Sequence, residues 1–394
     1  MKYDNLLRYA VRILASYPGD IPLNNFLKNF FRLNPQMGSR DRKQVSEMVY
    51  CFFRLGHSLK NISTAERILT GLFLTNTQPE QILEHLHPEW HELVRIPLKE
   101  KIEIVRAAFS DFDPLEIFPW GNMLSKGIDH EAYCMSFLEK PRLFIRIRPG
   151  KEKIVFSNLQ DHGIEYEDAD PAAELPFRVC SFQGGTRLDD VFHLNRDAVV
   201  QDLSSQQTAV YLKPGDRKEF EAWDCCAGSG GKSILIADLY PGCHLTVSDI
   251  RESILNNLSI RFKEAGISPA HLFKADLTDL NDLPRKSFHF IAADLPCTGS
   301  GTWSRNPESL YFFKPDSVSN YRQRQEKILS NIVPRLNPDG ILVYITCSVF
   351  AGENEQVTVR LLESGELKSE KEGMIVGLGR SADSMYAARF VRTR

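Results

Sequence analysis

Two cysteines in this sequence stand where a reactive nucleophile is expected, each just after an apolar run. Cys297 follows Phe288–Asp294 through a Leu-Pro pair, and Cys347 directly follows Ile341–Thr346. A thiolate is the best side chain for adding to a soft ring carbon such as C6 of a pyrimidine. That addition makes C5 nucleophilic enough to take a methyl group from a sulfonium. Such a reaction also needs an acid at ring N3.

The other six cysteines are weaker candidates, because a lone cysteine is most often a small buried hydrophobe. They show no C-x-x-C pair and no His partner at metal-ligand spacing, and they stand at positions 51, 134, 180, 225, 226 and 243. We therefore expect no structural metal site and reduced thiols, as in the cytoplasm.

A glycine-rich turn upstream of both cysteines indicates a ligand site. The turn lies between a strand-like run (Phe220–Asp224) and a helix-like run (Ile234–Leu239), and it reads Cys226, Ala227, Gly228, Ser229, Gly230, Gly231, Lys232. Glycines let the backbone pass close to a ligand, and N–H groups at a helix start hold a carboxylate. An ATP-binding P-loop would need a further glycine at position 226, so Cys226 excludes a Walker-type NTPase.

Two further carboxylates come after this turn at informative spacings. Asp249 ends the run that starts at His244, and it follows Gly231 by 18 residues. That is near the spacing at which an acid binds ribose hydroxyls. Asp276 ends a third strand-like run and is suited to accept from an adenine amine. Asp249 alone is also typical of a turn, but three strand-end acids in order favour S-adenosylmethionine as ligand.

The elements that must position these residues form a doubly wound α/β sheet. The order strand, glycine turn, helix, strand and carboxylate describes a Rossmann-like nucleoside-binding half. Ligands of such sheets bind at the carboxyl ends of the strands. We therefore expect the glycine turn, both acids and both cysteines to face one crevice, in a catalytic domain spanning 199–394.

Two smaller domains are predicted upstream, since 394 residues exceed one ordinary core. Helical periodicity fills residues 1–135. Within it, Gly38–Arg54 resembles the signature helix of the NusB-like domain, with Ser39 as its cap. That resemblance implies an RNA-binding role, and a helical domain that only packs is the alternative.

Residues 140–198 are typical of a small α+β module, RRM-like in kind. In its first strand, Leu143–Arg148, alternation predicts that Arg146 and Arg148 share one exposed face. Such a face could contact RNA phosphates. It is equally typical of a solvated edge strand that carries charge against aggregation.

Bulk properties exclude several classes of protein. The net charge of −3 gives no support to a polyanion ligand over the whole surface. No apolar run approaches the length of a membrane span, and the first residues lack the apolar core of a signal peptide. We expect a cytoplasmic monomer without membrane contact.

The cysteine motifs resemble those of RNA (cytosine-5) methyltransferases of the Sun family, of the RsmB (Fmu) type. The specific pieces are Asp294-Leu-Pro-Cys297-Thr-Gly-Ser-Gly and Tyr344-Ile-Thr-Cys347-Ser, followed by Glu353-Asn354-Glu355. The resemblance is strong over about residues 140–394, where it implies a class I methyltransferase domain, and it extends in kind to the helical N-terminus.

Residue roles follow from this resemblance. It implies that Cys347 adds to C6, that Cys297 assists product release and that Asp294 protonates N3. The turn from Cys226 to Lys232 would hold the methionine part of S-adenosyl-L-methionine, with Asp249 on the ribose and Asp276 near the adenine. The segment Gln201-Asp202 with Ser204 and Ser205 resembles the family's approach to the cofactor domain. Arg305 matches an arginine in the loop after Pro-Cys and is a candidate RNA contact.

The chain also departs from the family pattern. Gly228-Ser229 replaces the usual Ala-Pro, Leu295 stands where Ala or Val is commoner, and Ser304 replaces one of two arginines. None of these changes removes a chemical group from the predicted mechanism. The expected activity is methylation of cytosine C5 in RNA, with small-subunit (16S) rRNA favoured. The alternatives are a transfer RNA (cytosine-5) methyltransferase and a catalytically idle RNA-binding scaffold.

Overall fold

The computed structural model describes residues 3–393, which divide into two compact units. The first unit takes in the chain up to residue 122 together with 129–140 and 302–314. The second takes in 123–128, 141–301 and the chain from residue 315 onward. The outer limits of the predicted first and third domains, residues 1 and 394, lie outside the described residues, and the three-domain division stays a prediction.

The first unit is helical, as the periodicity predicts. Its α-helices, numbered in chain order through the whole protein, are α1 (Tyr3–Ser16), α2 (Leu23–Leu33), α3 (Ser39–Arg54), α4 (Thr64–Thr75), α5 (Gln81–Leu86), α6 (Pro88–Glu92), α7 (Leu98–Ala108), α8 (His130–Ser136) and α13 (Pro307–Tyr311). The sequence suggested Ser39 as the cap of α3, and the structure shows that this prediction is wrong. It is the first helical residue, and Gly38 occupies the capping position without a side-chain bond.

The second unit contains a small antiparallel sheet in the order β2-β3-β1-β4. Its elements are β1 (Leu143–Ile147), α9 (Glu152–Asp161), β2 (Glu167–Asp168), β3 (Val179–Phe182) and β4 (Ala198–Val200). β1 has paired neighbours on both sides. A strand in this position has its backbone hydrogen bonds satisfied, and one of its faces is free to pack against other elements.

The prediction that Arg146 and Arg148 form an exposed face is therefore wrong. The Arg146 side chain is 0% exposed and that of Arg148 is 14% exposed, and both guanidinium groups lie 2.6 Å from the buried carboxylate of Asp238. Alternation correctly placed the two arginines on one face of the strand. It could not show that this face packs against the helix that carries Asp238.

A seven-stranded mixed sheet forms the rest of the second unit, in the order β10-β11-β9-β8-β5-β6-β7. The elements of this part are α10 (Leu203–Gln207), β5 (Phe220–Asp224), α11 (Gly231–Leu239), β6 (Cys243–Asp249), α12 (Glu252–Ala265), β7 (His271–Lys274), β8 (Phe288–Asp294), α14 (Asp316–Ile332), β9 (Leu336–Thr346), α15 (Glu355–Leu362), β10 (Leu367–Ile375) and β11 (Met385–Arg392).

Strands β5 to β9 run parallel, and β10 and β11 pair antiparallel at one edge. Strand β10 carries no apolar strand signal in the sequence, because this edge strand has only two buried residues and contains Lys368-Ser-Glu-Lys-Glu-Gly373. Such a strand needs no apolar alternation, since charge protects its open edge.

The central strands are apolar on both faces, as strands covered by helices must be. Trp223, Ile291 and Leu342 belong to one core layer, and Ala222 and Phe290 belong to the other. No helix within residues 3–393 has the length and apolar character needed to cross a membrane.

The buried ion pairs of Asp238 yield a stability prediction. An Asp238→Asn change leaves the guanidinium of Arg146 buried without a counter-charge, so we expect a loss of about 3–5 kcal/mol in the free energy of unfolding. Asp168→Asn is the matched control, because its partner Arg178 is 51% exposed and such surface pairs contribute about 0–1 kcal/mol. Urea unfolding followed by circular dichroism measures both changes, and equal losses would contradict the prediction.

Candidate active site

The carboxyl ends of the parallel strands meet around one cavity. Asp249 ends β6 and Asp294 ends β8, while Asp276, Cys297 and Cys347 follow β7, β8 and β9 within a few residues. All five line a cavity of about 430 Å³, together with Cys226 and Gly228 of the glycine turn. The structure thus brings together the acids and cysteines that the sequence singled out.

The backbone of the glycine turn adopts positive φ angles at two of its glycines. Gly228 and Gly230 have φ of +53° and +86°, a region that favours glycine. A Cβ at Gly228 would meet nothing within 4 Å, whereas at Gly230 it would lie 2.1 Å from Leu258. Gly230 therefore serves close packing on α12, and Gly228 leaves open space beside the cavity.

The glycine turn is also held by hydrogen bonds from helix α12. Arg261 of α12 donates to the backbone oxygen of Ser229 at 2.6 Å and to its Oγ at 3.1 Å. This contact fixes the position at which the family pattern has a proline. Of the predicted turn residues, Ala227, Ser229, Gly230, Gly231 and Lys232 do not line the cavity.

Asp249 is fully engaged by hydrogen-bond donors. It accepts from the backbone N–H of Gly228 at 3.0 Å, and it also accepts from the backbone and the guanidinium of Arg251. Burial by itself would raise the pKa of Asp249, but the hydrogen bonds from Arg251 and Gly228 outweigh burial and lower it. Because the Arg251 side chain is 61% exposed, its ion pair with Asp249 is screened by solvent.

Asp276 has spare capacity for a ligand. Its Oδ1 accepts from the backbone N–H and the hydroxyl of Thr278, and these bonds lower the pKa of Asp276. Its Oδ2 has no hydrogen-bond partner among residues 3–393. An adenine amine could therefore bind Oδ2 without displacing a protein group.

The side chain of Lys232 is paired with the acid beside the cysteines. Its Nζ lies 2.7 Å from Asp294 Oδ2 and 3.3 Å from Ser205 Oγ. Burial alone would lower the pKa of Lys232, but the Asp294 carboxylate outweighs burial and raises it. An ammonium group thus stays beside Asp294, and the other carboxylate oxygen is left for a substrate.

The two reactive cysteines are in contact. The Sγ atoms of Cys297 and Cys347 lie 3.3 Å apart. The contact with Cys347 and then burial raise the pKa of Cys297. Either sulfur can donate S–H to the other across this contact.

Sequence reasoning missed several residues that line the cavity, and two of them are polar residues of α14. Tyr321 and Arg324 lie one turn apart on α14 and both face the cavity. Arg324 helps to lower the pKa of Asp276. The only sequence signal was their spacing on a helix with a polar face, which is also typical of a solvated surface. Arg305, by contrast, belongs to the first unit.

The residues at this edge fit S-adenosyl-L-methionine. A volume of about 430 Å³ lies in the range of small-molecule sites. The open backbone at Gly228 and the free oxygen of Asp276 offer room and an acceptor. Within residues 3–393, no group of three His, Cys, Asp or Glu side chains is placed to hold a metal ion.

Comparison with known proteins finds relatives of the seven-stranded sheet. Residues 209–386 match the family described as 16S rRNA methyltransferase RsmB/F. The chain is 28% identical over 260 residues to ribosomal RNA small subunit methyltransferase B of Xylella fastidiosa, an alignment that covers 63% of this chain and 56% of that protein. It is also 28% identical over 231 residues to the probable enzyme of Bacillus subtilis, covering 58% and 50%. The aligned part thus spans about half the length of these relatives.

Solved structures show the same fold. The crystal structure of PH0851 superposes with a TM-score of 0.69 at 18% identity, covering 99% of both chains. A methyltransferase homologue from Pyrococcus horikoshii superposes with a TM-score of 0.56 at 21% identity, covering 68% of this chain and 92% of that one. These likenesses establish a Rossmann-like methyltransferase fold with a helical N-terminal region.

The family match covers the glycine turn, the three acids and both cysteines. The chain is therefore similar, through residues 209–386, to the 16S rRNA methyltransferase family RsmB/F, and its cofactor is S-adenosyl-L-methionine.

Proposed function

We propose that this protein methylates C5 of a cytosine in RNA, with small-subunit rRNA as the substrate. The observation that carries the proposal is the pair of thiols 3.3 Å apart, in the same cavity as the cofactor acids. A methyltransferase that acts on an exocyclic nitrogen or oxygen has no need of a nucleophile. Two cysteines in contact fit a reaction in which one adds to the ring and the other assists its release.

The first step forms a bond between Cys347 Sγ and C6 of the cytosine. The ring then carries extra electron density, and a proton supplied at N3 through Asp294 stabilises it. Lys232, held 2.7 Å from Asp294, keeps positive charge at this point. The RNA must present the base unstacked, because stacking hides the C6 face.

Bound S-adenosyl-L-methionine would supply a methyl group to C5, and the electron pair of its carbon–sulfur bond would stay on sulfur. Solvent water then takes the C5 proton and N3 gives up the proton that it gained, so that the C5–C6 double bond re-forms and Cys347 departs as a thiolate. The contact of Cys297 with the Cys347 sulfur supports a role for Cys297 in this release. The ring regains its aromatic character, and the enzyme regains both thiols.

The first unit would provide RNA contact, as its resemblance to the NusB-like domain suggests. Arg305 is a candidate for that role. Arg146 and Arg148 do not support it, since their guanidinium groups bind Asp238.

Methyl transfer from labelled S-adenosyl-L-methionine tests the proposed function. Protein-free small-subunit RNA and bulk transfer RNA are incubated separately with the enzyme and digested to nucleosides. We expect labelled 5-methylcytidine in the ribosomal RNA only. Label in transfer RNA alone would overturn the substrate. If neither RNA nor a small-subunit particle takes label while cofactor binds, the RNA-binding scaffold becomes the better proposal.

Replacing the nucleophile should abolish catalysis. We expect Cys347→Ala to lower methyl transfer by roughly a thousandfold or more, because no other group replaces the covalent step. Cofactor affinity, measured by calorimetry, should change little. Cys243→Ala is the control, since this half-buried cysteine lies at the opposite end of β6. Substantial activity in Cys347→Ala would remove Cys347 from the mechanism.

Replacing the second cysteine should stop the reaction after addition. We expect Cys297→Ala to accumulate a covalent enzyme–RNA adduct, because Cys347 still adds to C6 but release is slow. Denaturing gel electrophoresis with labelled RNA detects the adduct as a slow band. The band should vanish in the Cys297→Ala/Cys347→Ala double variant. A single variant without any such band would contradict the release role.

A further inference from the structure

A buried carboxylate behind the cysteines has no role in the mechanism so far. Glu353 follows β9 by a short connection and is 0% exposed. It does not line the cavity. Burying a carboxylate away from water costs free energy unless several hydrogen-bond donors compensate for the lost hydration. Its donors therefore indicate what it does.

The donors come from two loops. Glu353 Oε1 accepts from the backbone N–H of Thr298 at 2.8 Å, and Oε2 accepts from the Thr298 hydroxyl at 2.6 Å. Oε2 also accepts from the hydroxyl of Ser348 at 2.5 Å. Thr298 directly follows Cys297, and Ser348 directly follows Cys347. One carboxylate thus binds the residue after each reactive cysteine.

Sheet pairing alone would not fix the two thiols. The backbone ladder between β8 and β9 ends at Asp294 and Ile345, before either cysteine. Beyond it, Leu295 N–H binds Ile345 O at 3.0 Å, and the next backbone bond across the loops reaches Cys347 O from Gly301. The carboxylate of Glu353 spans the gap between these two bonds.

A second buried side chain holds the other flank of Cys297. Gln325 of α14 is 0% exposed, and its Nε2 donates to the backbone oxygen of Pro296 at 2.9 Å. Cys297 is therefore fixed on its N-terminal side by Gln325 and on its C-terminal side by Glu353. Two polar contacts of this kind leave the backbone of this cysteine little freedom.

We infer that Glu353 is a positioning residue that sets the separation of the Cys297 and Cys347 thiols by binding both cysteine loops at once. The inference rests on the proposed function, because the separation matters only if both thiols serve one ring. Placing reacting groups within a fraction of an ångström is worth large factors in rate. Loss of the carboxylate should therefore affect the chemical steps more than binding.

The first readout is kinetic. Glu353→Gln keeps the shape but replaces one acceptor oxygen by an NH₂ donor, so the amide cannot accept all three hydrogen bonds that the carboxylate accepts from Thr298 and Ser348. We expect kcat to fall roughly 10- to 100-fold, with cofactor affinity and the KM for RNA near those of the wild type. Glu355→Gln is the matched control: Glu355 accepts from Ser125 and Lys126 and touches neither cysteine loop. Equal kcat values in the two variants would overturn the inference.

The second readout does not depend on methylation. Diamide takes two electrons and two protons from a pair of thiols and becomes a hydrazine, while a disulfide bond forms between the sulfurs. Thiols 3.3 Å apart should link rapidly, and peptide mass mapping identifies the Cys297–Cys347 product. We expect clearly slower linking in Glu353→Gln than in Glu355→Gln. Equal rates would overturn the inference, even if the wild type methylates RNA.

The two readouts separate the inference from the function on which it rests. A wild type that methylates no RNA, but whose thiols link faster than those of Glu353→Gln, overturns the function and keeps the positioning. If Glu353→Gln fails to fold, Thr298→Val tests the inference instead. Thr298→Val deletes one hydrogen-bond donor to Glu353 and leaves the carboxylate in place. Slower linking and a reduced kcat in this variant support the inference, and wild-type values contradict it.

Discussion

The parallel pairing of β8 with β9 is the constraint on which the site depends. Asp294 lies opposite Ile345 in this ladder, so the loops that follow start side by side and run in the same direction. Each loop places a cysteine within a few residues of its strand end. In an antiparallel pair the two strand ends would lie at opposite edges of the sheet. The parallel register therefore makes contact between Cys297 and Cys347 possible.

Buried ion pairs, in addition to strand pairing, hold the elements around the site in place. The ion pair of Lys232 with Asp294 links the helix after the glycine turn to the strand before the first cysteine. Asp238, near the end of that same helix, binds two arginines of the small sheet. Removing one partner of a buried pair is costly. These pairs therefore fix α11, and with it the glycine turn, against the rest of the second unit.

The sequence was informative wherever chemistry lies close to a strand end. The strands Phe220–Asp224 and Phe288–Asp294 begin and end where the apolar runs predicted. The acids and cysteines after these strands meet because sheet geometry brings parallel carboxyl ends together. Predictions from the sequence were wrong or absent where the local pattern does not reflect the packing. Arg146 alternates like an exposed residue but is buried. Strand β10 lacks apolar alternation because it is an open edge.

The sequence by itself determined the class of the fold, the sheet edge that carries the site and the candidates for the reacting groups, because these follow from short motifs and from strand order. Only the tertiary structure decided which groups act on one another. In the tertiary structure Lys232 is paired with Asp294, and Tyr321 and Arg324 line the cavity. Glu353 accepts hydrogen bonds from both cysteine loops. Contacts between residues far apart in the chain depend on how elements pack, and neither residue type nor local periodicity records that packing.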